Sequence, residues 1–587
     1  MSPSSDLPDL RLTPHVLREY SVIADGERGA VIGPRGDIAW LCFPRWHGPA
    51  VFASLIGGGN TYAVIPTEQF VWGGYYEPAS LIWRNRWVTT SGIVECRDAL
   101  AFPGDPDRAV LLRRITAVHG RARVQVRLDL RADYGRRPVR DVKKDGGHWL
   151  ASDRDLHLRW SGAGDARAHR AGEEPHLALE LTLPEGDSRD LVLEVTGHAP
   201  TGDPPDPDRA WRATETGWDA AVPPLDNCLD SADVAHHYAV LRGLTSRGGG
   251  TVAAATTSLP ERAGAGRNYD YRYVWIRDQC FVGESIAALG PHPLLDDAVS
   301  FVTARLLEHG PDLAPAYTVT GEAVPHQRHL RLPGYPGGYD IVGNHVNAQF
   351  QLDAFGESLL LIAAAARHDR VDTEQWRAAD VAAAAIQERW QETDAGIWEI
   401  DDRAWTHSRL ISVAGLRAAA ATHPTPARSA ELLTLADRIL AHTTQHALHP
   451  DGYWQRSPDD AALDGALLLA GLRGAVPTDD PRTIATLEAY LRELTSDGYA
   501  YRFRHDGRPL AEAEGSFLLC GYLVALSLHR QGRALDARAW YERTRAACGP
   551  PELFSEEYDV NQNQMRGNLP QAFVHALMIE AATRLAE

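Results

Sequence analysis

Cysteine is scarce in this chain of 587 residues: there are six, at positions 42, 96, 228, 280, 520 and 548. No two of them stand in a C-x-x-C spacing, so a zinc or dithiol site has no support. So few thiols, scattered over so long a chain, fit a reducing cytoplasm rather than a disulfide scaffold. A leader is missing too. The opening Met1-Ser-Pro-Ser-Ser-Asp6 has no basic segment followed by an apolar run, so no signal peptide is read. No uninterrupted apolar stretch is long enough to cross a bilayer, and a membrane protein is not expected. Positive charge is in deficit, with 59 Lys and Arg against 78 Asp and Glu and a formal net charge of −19. Such a surface repels nucleic acid and anionic lipid and leaves small neutral molecules as the fitting partners. No His, Asp or Glu cluster has metal-ligand spacing, and the glycines at 57–59, 248–250, 264 and 266 lack the flanks of a phosphate or dinucleotide loop. Neither a metal nor a cofactor is predicted, and the substrate should be small or imported.

What is present is apolar mass, 44% of the residues, with 16 Trp and 19 Tyr. Most aromatics fill cores, but their rings also stack on the C–H faces of sugars. The chain divides by periodicity. Up to about residue 220, apolar and polar residues alternate between Gly and Pro turns, as in Asp37-Ile-Ala-Trp-Leu-Cys-Phe43, Thr61–Pro66, Ser80–Trp83, Arg123–Leu130, Leu156–Trp160 and Leu177–Leu183. Period two predicts an antiparallel β-sandwich over 1–220. The Pro- and Asp-rich run Gly202–Asp208 reads as a linker. From 221 to 587 the period turns helical, with twelve candidates: 229–244, 277–290, 293–309, 345–368, 373–391, 406–421, 427–447, 460–472, 481–494, 514–531, 534–547 and 567–586. Twelve helices in alternation suggest six hairpins closed into an (α/α)6 barrel. An open solenoid competes, although no fixed sequence repeat supports it.

Two acidic motifs stand out. One is Asp394-Ala-Gly-Ile-Trp-Glu399 and the other is Phe554-Ser-Glu-Glu-Tyr-Asp559. Each sets a carboxylate beside aromatic residues just ahead of a helical pattern. Two carboxylates in an aromatic pocket serve glycosidic cleavage, one as acid and one as base or nucleophile. The plainer alternative is a pair of surface acids at helix starts, where the dipole favours negative charge. A third motif, Arg267-Asn-Tyr-Asp-Tyr-Arg-Tyr-Val-Trp-Ile-Arg-Asp278, packs aromatics among charges. Its Arg277 and Asp278 offer a donor fork and an acceptor for vicinal hydroxyls, or else a structural pair at a helix start. The three motifs precede the second, sixth and twelfth candidate helices. In a barrel those would all be inner helices, with their feeding loops on one rim. His345 and His407 lie close to these loops, and for both a packing or capping role is the expectation.

The chain resembles glycoside hydrolase family 15, the group of bacterial glucoamylases, glucodextranases and trehalases. The resemblance runs through Asp37–Arg45, Thr256-Thr-Ser-Leu-Pro-Glu261, Asn268–Asp278, Gly396-Ile-Trp-Glu399 with Trp405-Thr-His-Ser-Arg409, Glu514–Cys520, and Ser555–Asp559 with Gly567–Phe573. It implies an inverting, exo-acting α-glucosidase that releases β-glucose, with Glu399 as general acid and Glu556 as general base. It further implies that Arg277 and Asp278 hold the terminal glucose, and that Tyr271 and Trp275, with Trp398 beside the acid, line its subsite. The implied carboxyl spacing is the wide inverting one, roughly 6.5–9.5 Å. Ile397, Trp398 and Ile400 give Glu399 apolar neighbours, which favour the neutral acid. Glu556 must stay ionised despite Glu557 and Asp559, and Arg566 is the candidate counter-charge. One position departs from the family. Some members carry a second acid after the general acid, and here that residue is Ile400, which leaves α-1,6 links or trehalose as open as α-1,4. Two other functions compete: a disaccharide phosphorylase of similar architecture and a sugar-binding protein without catalysis.

Overall fold

A computed structural model describes residues 13–129, 131–169, 176–264, 266–505 and 508–587. Two eight-stranded antiparallel sheets occupy the first part. One carries Ser21–Ala24, Gly29–Ile32, Asp37–Cys42, Ala50–Phe52, Tyr62–Pro66, Ala122–Leu128, Arg167–His169 and His176–Leu183. The other carries Phe70–Tyr76, Trp83–Thr89, Gly92–Leu100, Arg108–Gly120, Arg140–Asp145, His148–Asp153, Leu156–Ser161 and Ser188–Thr196. In Ala122–Leu128, Ala122, Val124, Val126 and Leu128 are buried while the residues between them are not, which is the period that sandwiches a core between two sheets. Inside that core, Arg113 meets Asp98 at 2.8 Å, and the Trp160 indole N–H donates to Tyr62 at 3.0 Å. The expected strand at Ser80–Trp83 begins only at Trp83.

The stretch read as a linker runs straight into a helix, α1 (Pro207–Ala221). Asp206 caps it and Pro207 opens it, a pairing that starts helices, and the same Pro and Asp content had suggested an open connection. α1 docks on the sandwich: Trp218 stacks on Phe102 at 4.0 Å, and the Trp211 indole donates to Asp190 at 3.0 Å.

Twelve helices follow: α2 (Ser231–Leu244), α3 (Ile276–Leu289), α4 (Pro293–His309), α5 (Asp353–Ala366), α6 (Thr373–Arg389), α7 (Thr406–Thr422), α8 (Pro426–Ala447), α9 (Leu469–Leu472, continuing a 3-10 turn at Gly465–Leu468), α10 (Pro481–Glu493), α11 (Leu518–Arg530), α12 (Ala534–Arg545) and α13 (Ala572–Arg584). α3, α5, α7, α9, α11 and α13 form an inner ring. α3 packs against both α5 and α13, which closes the ring into an (α/α)6 barrel and rules out an open solenoid. The inner helices are apolar nearly all round, as α5 and α11 show, because each faces both the ring and its outer partner. Most outer helices bury only a stripe, as α10 does with Thr486, Leu487, Ala489 and Tyr490, whereas α2, which also packs on the sandwich, is buried over most of its length. α5 and α7 cross where Gly356 meets Gly415, and a Cβ on Gly415 would lie 2.3 Å from the Gly356 carbonyl oxygen. Four inner helices start later than the apolar period suggests, at Asp353, Gly465, Leu518 and Ala572. The residues ahead of them are rim loops.

Candidate active site

Three rim segments converge. In the extended run before α3, side chains alternate. Tyr271 and Trp275 face a cavity, while Arg272 faces the sandwich, where it pairs with Asp270 at 2.7 Å and donates to the carbonyls of Trp46 (3.2 Å) and Gly48 (2.9 Å). In the turn before α7, Asp394 is buried against Arg409 and accepts from Ser408 at 2.7 Å and from the Gly396 N–H at 2.9 Å. That anchored turn delivers Glu399 with φ of +52°, a left-handed conformation costly for a non-glycine residue. The cost falls where a carboxylate has to be aimed. In the third segment, Glu557–Asp559 pairs with Ser516–Phe517 and Gln564–Arg566, and the alternation sends Glu556 into the cavity and Glu557 behind it. There Glu557 accepts the Gly515 N–H at 2.8 Å and faces Arg502.

The cavity holds about 390 Å³, within the range for a small ligand. Tyr271, Trp275, Arg277, Asp278, Trp398, Glu399 and Glu556, all seven residues singled out from the sequence, line it. Oε1 of Glu399 receives three donors: Trp275 Nε1 at 2.8 Å, Gln351 Nε2 at 2.9 Å and Arg277 at 3.2 Å. No described residue hydrogen-bonds its Oε2, which stays open to the cavity. The environment is thus more polar than Ile397, Trp398 and Ile400 suggested. The Tyr271 hydroxyl donates to Glu556 at 3.2 Å, and its ring meets Trp275 edge-on at 5.7 Å. One file of contacts, Glu556–Tyr271–Trp275–Glu399, therefore joins the two carboxylates.

Arg277, which lines the cavity, spends three of its five donors on Gln351, Asp353 and Glu399. Asp278 receives no hydrogen bond from another described residue. Burial pushes its carboxyl up to about 7, with Arg277 opposing and Glu399 adding to the rise. Trp398 is fixed by donating to Asp464 at 2.6 Å and by packing its edge on Phe517.

Around Glu556 the charges differ from expectation. Arg566 turns to Asp559 at 3.5 Å, and the cation beside the Glu556 loop is Arg502. Arg502 meets Glu514 at 2.9 Å and Glu261 at 3.4 Å, and Arg267 also reaches Glu514, at 3.2 Å. Burial first, then Glu261, push the Glu556 carboxyl above the usual range, against Arg502 and the Tyr271 hydroxyl. His345, expected to pack or cap, is exposed and lines the cavity. His407 is buried away from it, and burial pushes its imidazole down to about 4. Ile400 sits half-exposed at the cavity edge. Gln351, Glu261, Arg502 and Glu514 escaped the sequence reading. Glu261 ends one conspicuous motif and Glu514 begins another, so their places were visible, but their mutual pairing was not.

Comparison with known proteins agrees along the chain. The family model for glycosyl hydrolases family 15 matches residues 236–583, and that for the trehalase-like N-terminal domain matches 13–171. The trehalase of Mycobacterium tuberculosis is 29% identical over 633 residues, covering 97% of this chain and 89% of its own. Trehalase 1 of Sulfolobus acidocaldarius is 26% identical over 591 residues, covering 96% and 98%. Among solved structures, a bacterial glucoamylase complexed with acarbose superposes with a TM-score of 0.69 at 14% identity, covering 98% and 96%, a likeness of fold.

Proposed function

The chain belongs to glycosyl hydrolases family 15, and from that premise we propose that this α-glucoside hydrolase works with inversion and takes trehalose as its preferred substrate. The observation that carries the reading is the shared cavity, with Glu399 and Glu556 both facing it and joined through Trp275 and Tyr271. Glu399 protonates the glycosidic oxygen from Oε2. As it does so, the three donors on Oε1 stabilise the carboxylate that forms. Glu556 draws a proton from a water that attacks the anomeric carbon from the opposite face. Asp278 and the two remaining donors of Arg277 hold the hydroxyls of the terminal glucose.

Trehalose is favoured by the relatives named trehalase, which match nearly the whole chain. Ile400 at the cavity edge adds support, since it provides no acidic ligand for the next sugar of a maltodextrin. Phosphorolysis fits less well. Arg267 and Arg502, basic residues of the cavity wall, face Glu261 and Glu514 rather than open space. A binding protein would not need two opposed carboxylates. Among the described residues there is no group of His, Cys, Asp and Glu able to hold a metal, and no helix long and apolar enough to cross a membrane. The six unpaired thiols support a cytoplasmic location.

The test is proton NMR of fresh product. Inversion on α,α-trehalose liberates one β-glucose and one α-glucose, so equal anomers are expected at early times, with or without phosphate. α-Glucose alone would refute inversion, and a phosphate requirement with glucose 1-phosphate as product would refute hydrolysis. A panel of maltose, isomaltose, kojibiose, nigerose and maltoheptaose checks the substrate; a kcat/KM for maltoheptaose above that for trehalose would overturn the preference.

A further inference from the structure

Behind the Glu556 loop lies a buried chain of histidines that the reaction does not use directly. His575 is in the first turn of α13 and His237 is in α2, and both are almost wholly buried. Nδ1 of His237 lies 2.8 Å from Nδ1 of His575. The backbone N–H of Phe554 lies 3.1 Å from Nε2 of His575. Nε2 of His237 lies 3.5 Å from the carboxylate of Asp233, which Arg545 also holds.

The chemistry of these atoms leaves one arrangement of protons. A backbone N–H can only donate, so Nε2 of His575 is a bare acceptor and its ring proton is on Nδ1. That proton can go only to His237 Nδ1, which is then bare in turn. The His237 proton therefore sits on Nε2, aimed at Asp233. Every hydrogen in the file runs one way, from Phe554 through His575 and His237 to Asp233. A second proton on either ring would set donor against donor. Burial, with the neighbouring imidazoles, pushes His575 well below the ordinary range and keeps it neutral.

Phe554 is two residues ahead of Glu556. Its carbonyl accepts the Gln571 N–H at 2.8 Å, its ring lies 5.3 Å from His237 and 5.2 Å from His575, and the Glu556 carbonyl accepts the Leu518 N–H at 3.1 Å. The backbone is gripped on both sides of the carboxylate. We infer that His575 and His237 are positioning residues for the catalytic base: through the Phe554 amide they fix the approach of Glu556 to the attacking water. This rests on the reading of Glu556 as the base. Neither ring touches the cavity, so their effect belongs in the chemical step and not in substrate binding.

The experiment compares His575→Leu, which removes the acceptor, with His575→Gln, whose Oε1 can replace Nε2. Both are made in the wild-type and Glu556→Gln backgrounds, with thermal unfolding recorded. For His575→Leu, kcat on trehalose should fall about 10- to 100-fold, the scale of an ångström-sized misplacement, with KM within roughly 3-fold. His575→Gln should recover most of that loss. In the Glu556→Gln background, His575→Leu should cost almost nothing further, because the group it positions is gone. Wild-type kcat in His575→Leu would overturn the proposal, and so would an equal loss in both backgrounds. If His575→Leu does not fold, His237→Phe takes its place, with the same expected direction and the same overturning results. Should Glu556→Gln alone retain full activity, the assignment of the base fails instead, a different result from the failure of the histidine pair.

Discussion

Trp275→Phe isolates one hydrogen bond to Glu399, the proposed general acid. Its indole N–H donates to Glu399 Oε1 at 2.8 Å, beside Gln351 at 2.9 Å and Arg277 at 3.2 Å. Phe keeps most of the ring and removes only the donor. In the proposed mechanism Glu399 gives up a proton, and before that transfer the bond is of the neutral kind, worth about 0.5–1.5 kcal/mol. As the proton leaves, Glu399 becomes a carboxylate and the same bond becomes charge-assisted, worth about 1.5–3 kcal/mol. Only the difference, about 1–1.5 kcal/mol, acts on the barrier, so kcat on trehalose should fall roughly 5- to 12-fold. The two other donors remain, which keeps the loss from growing. α-Glucosyl fluoride needs little acid help, and on it the variant should run within roughly 2-fold of wild type. Measuring kcat on both substrates under single-turnover conditions decides the matter. Equal losses on both would mean that Trp275 serves the sugar and not the acid. No loss on either would mean that the bond does no catalytic work.

Glu399→Gln should be nearly inactive on trehalose yet keep more activity on α-glucosyl fluoride, whereas Glu556→Gln should lose both; wild-type fluoride hydrolysis by Glu556→Gln would turn attention to Glu557. Glu261→Gln removes a negative neighbour that holds the Glu556 carboxyl up. As the proposed base, Glu556 must be ionised to work, so its acid limb in kcat/KM against pH should move to lower pH; an unmoved or raised limb would contradict the charge map. Asp278→Ala should cost roughly 1.5–3 kcal/mol in kcat/KM through the lost acceptor alone, since Arg277 stays paired with Asp353 and Glu399, and near-normal activity in the folded variant would remove Asp278 from the substrate clamp.

The architecture was legible because both halves obey simple periods. Ala122–Leu128 alternates, α11 is apolar all round, and each period tells which faces are buried. The seven residues that line the cavity were legible as a group because chemistry-bearing types crowd into short motifs. Two kinds of information were not. Helix starts failed at Asp353, Leu518 and Ala572, since rim residues such as Gln351, Phe517 and Gln571 continue the apolar and amide pattern while serving the cavity. Charge partners failed as well: Arg566 is near Glu556 in sequence, yet Arg502 is the cation that matters, brought there from the loop before α11. Pairing between residues far apart in sequence, such as Arg502 with Glu261, leaves no local trace.

Arg272 stands between two residues that see the cavity side and is itself tied to the carbonyls of Trp46 and Gly48. The extended segment bearing Tyr271 and Trp275 is thus a wall shared by the sandwich and the barrel, with the sandwich as its outer masonry. A lesion far from any sugar can then pass for a catalytic one. Gly48 is such a place: a Cβ there would meet the Phe43 carbonyl oxygen at 2.5 Å and displace the very loop that Arg272 grips. For the same reason the sandwich is not a module that evolution or an engineer can exchange while leaving the barrel's chemistry alone. Whatever replaces it must bring matching carbonyls to the same guanidinium.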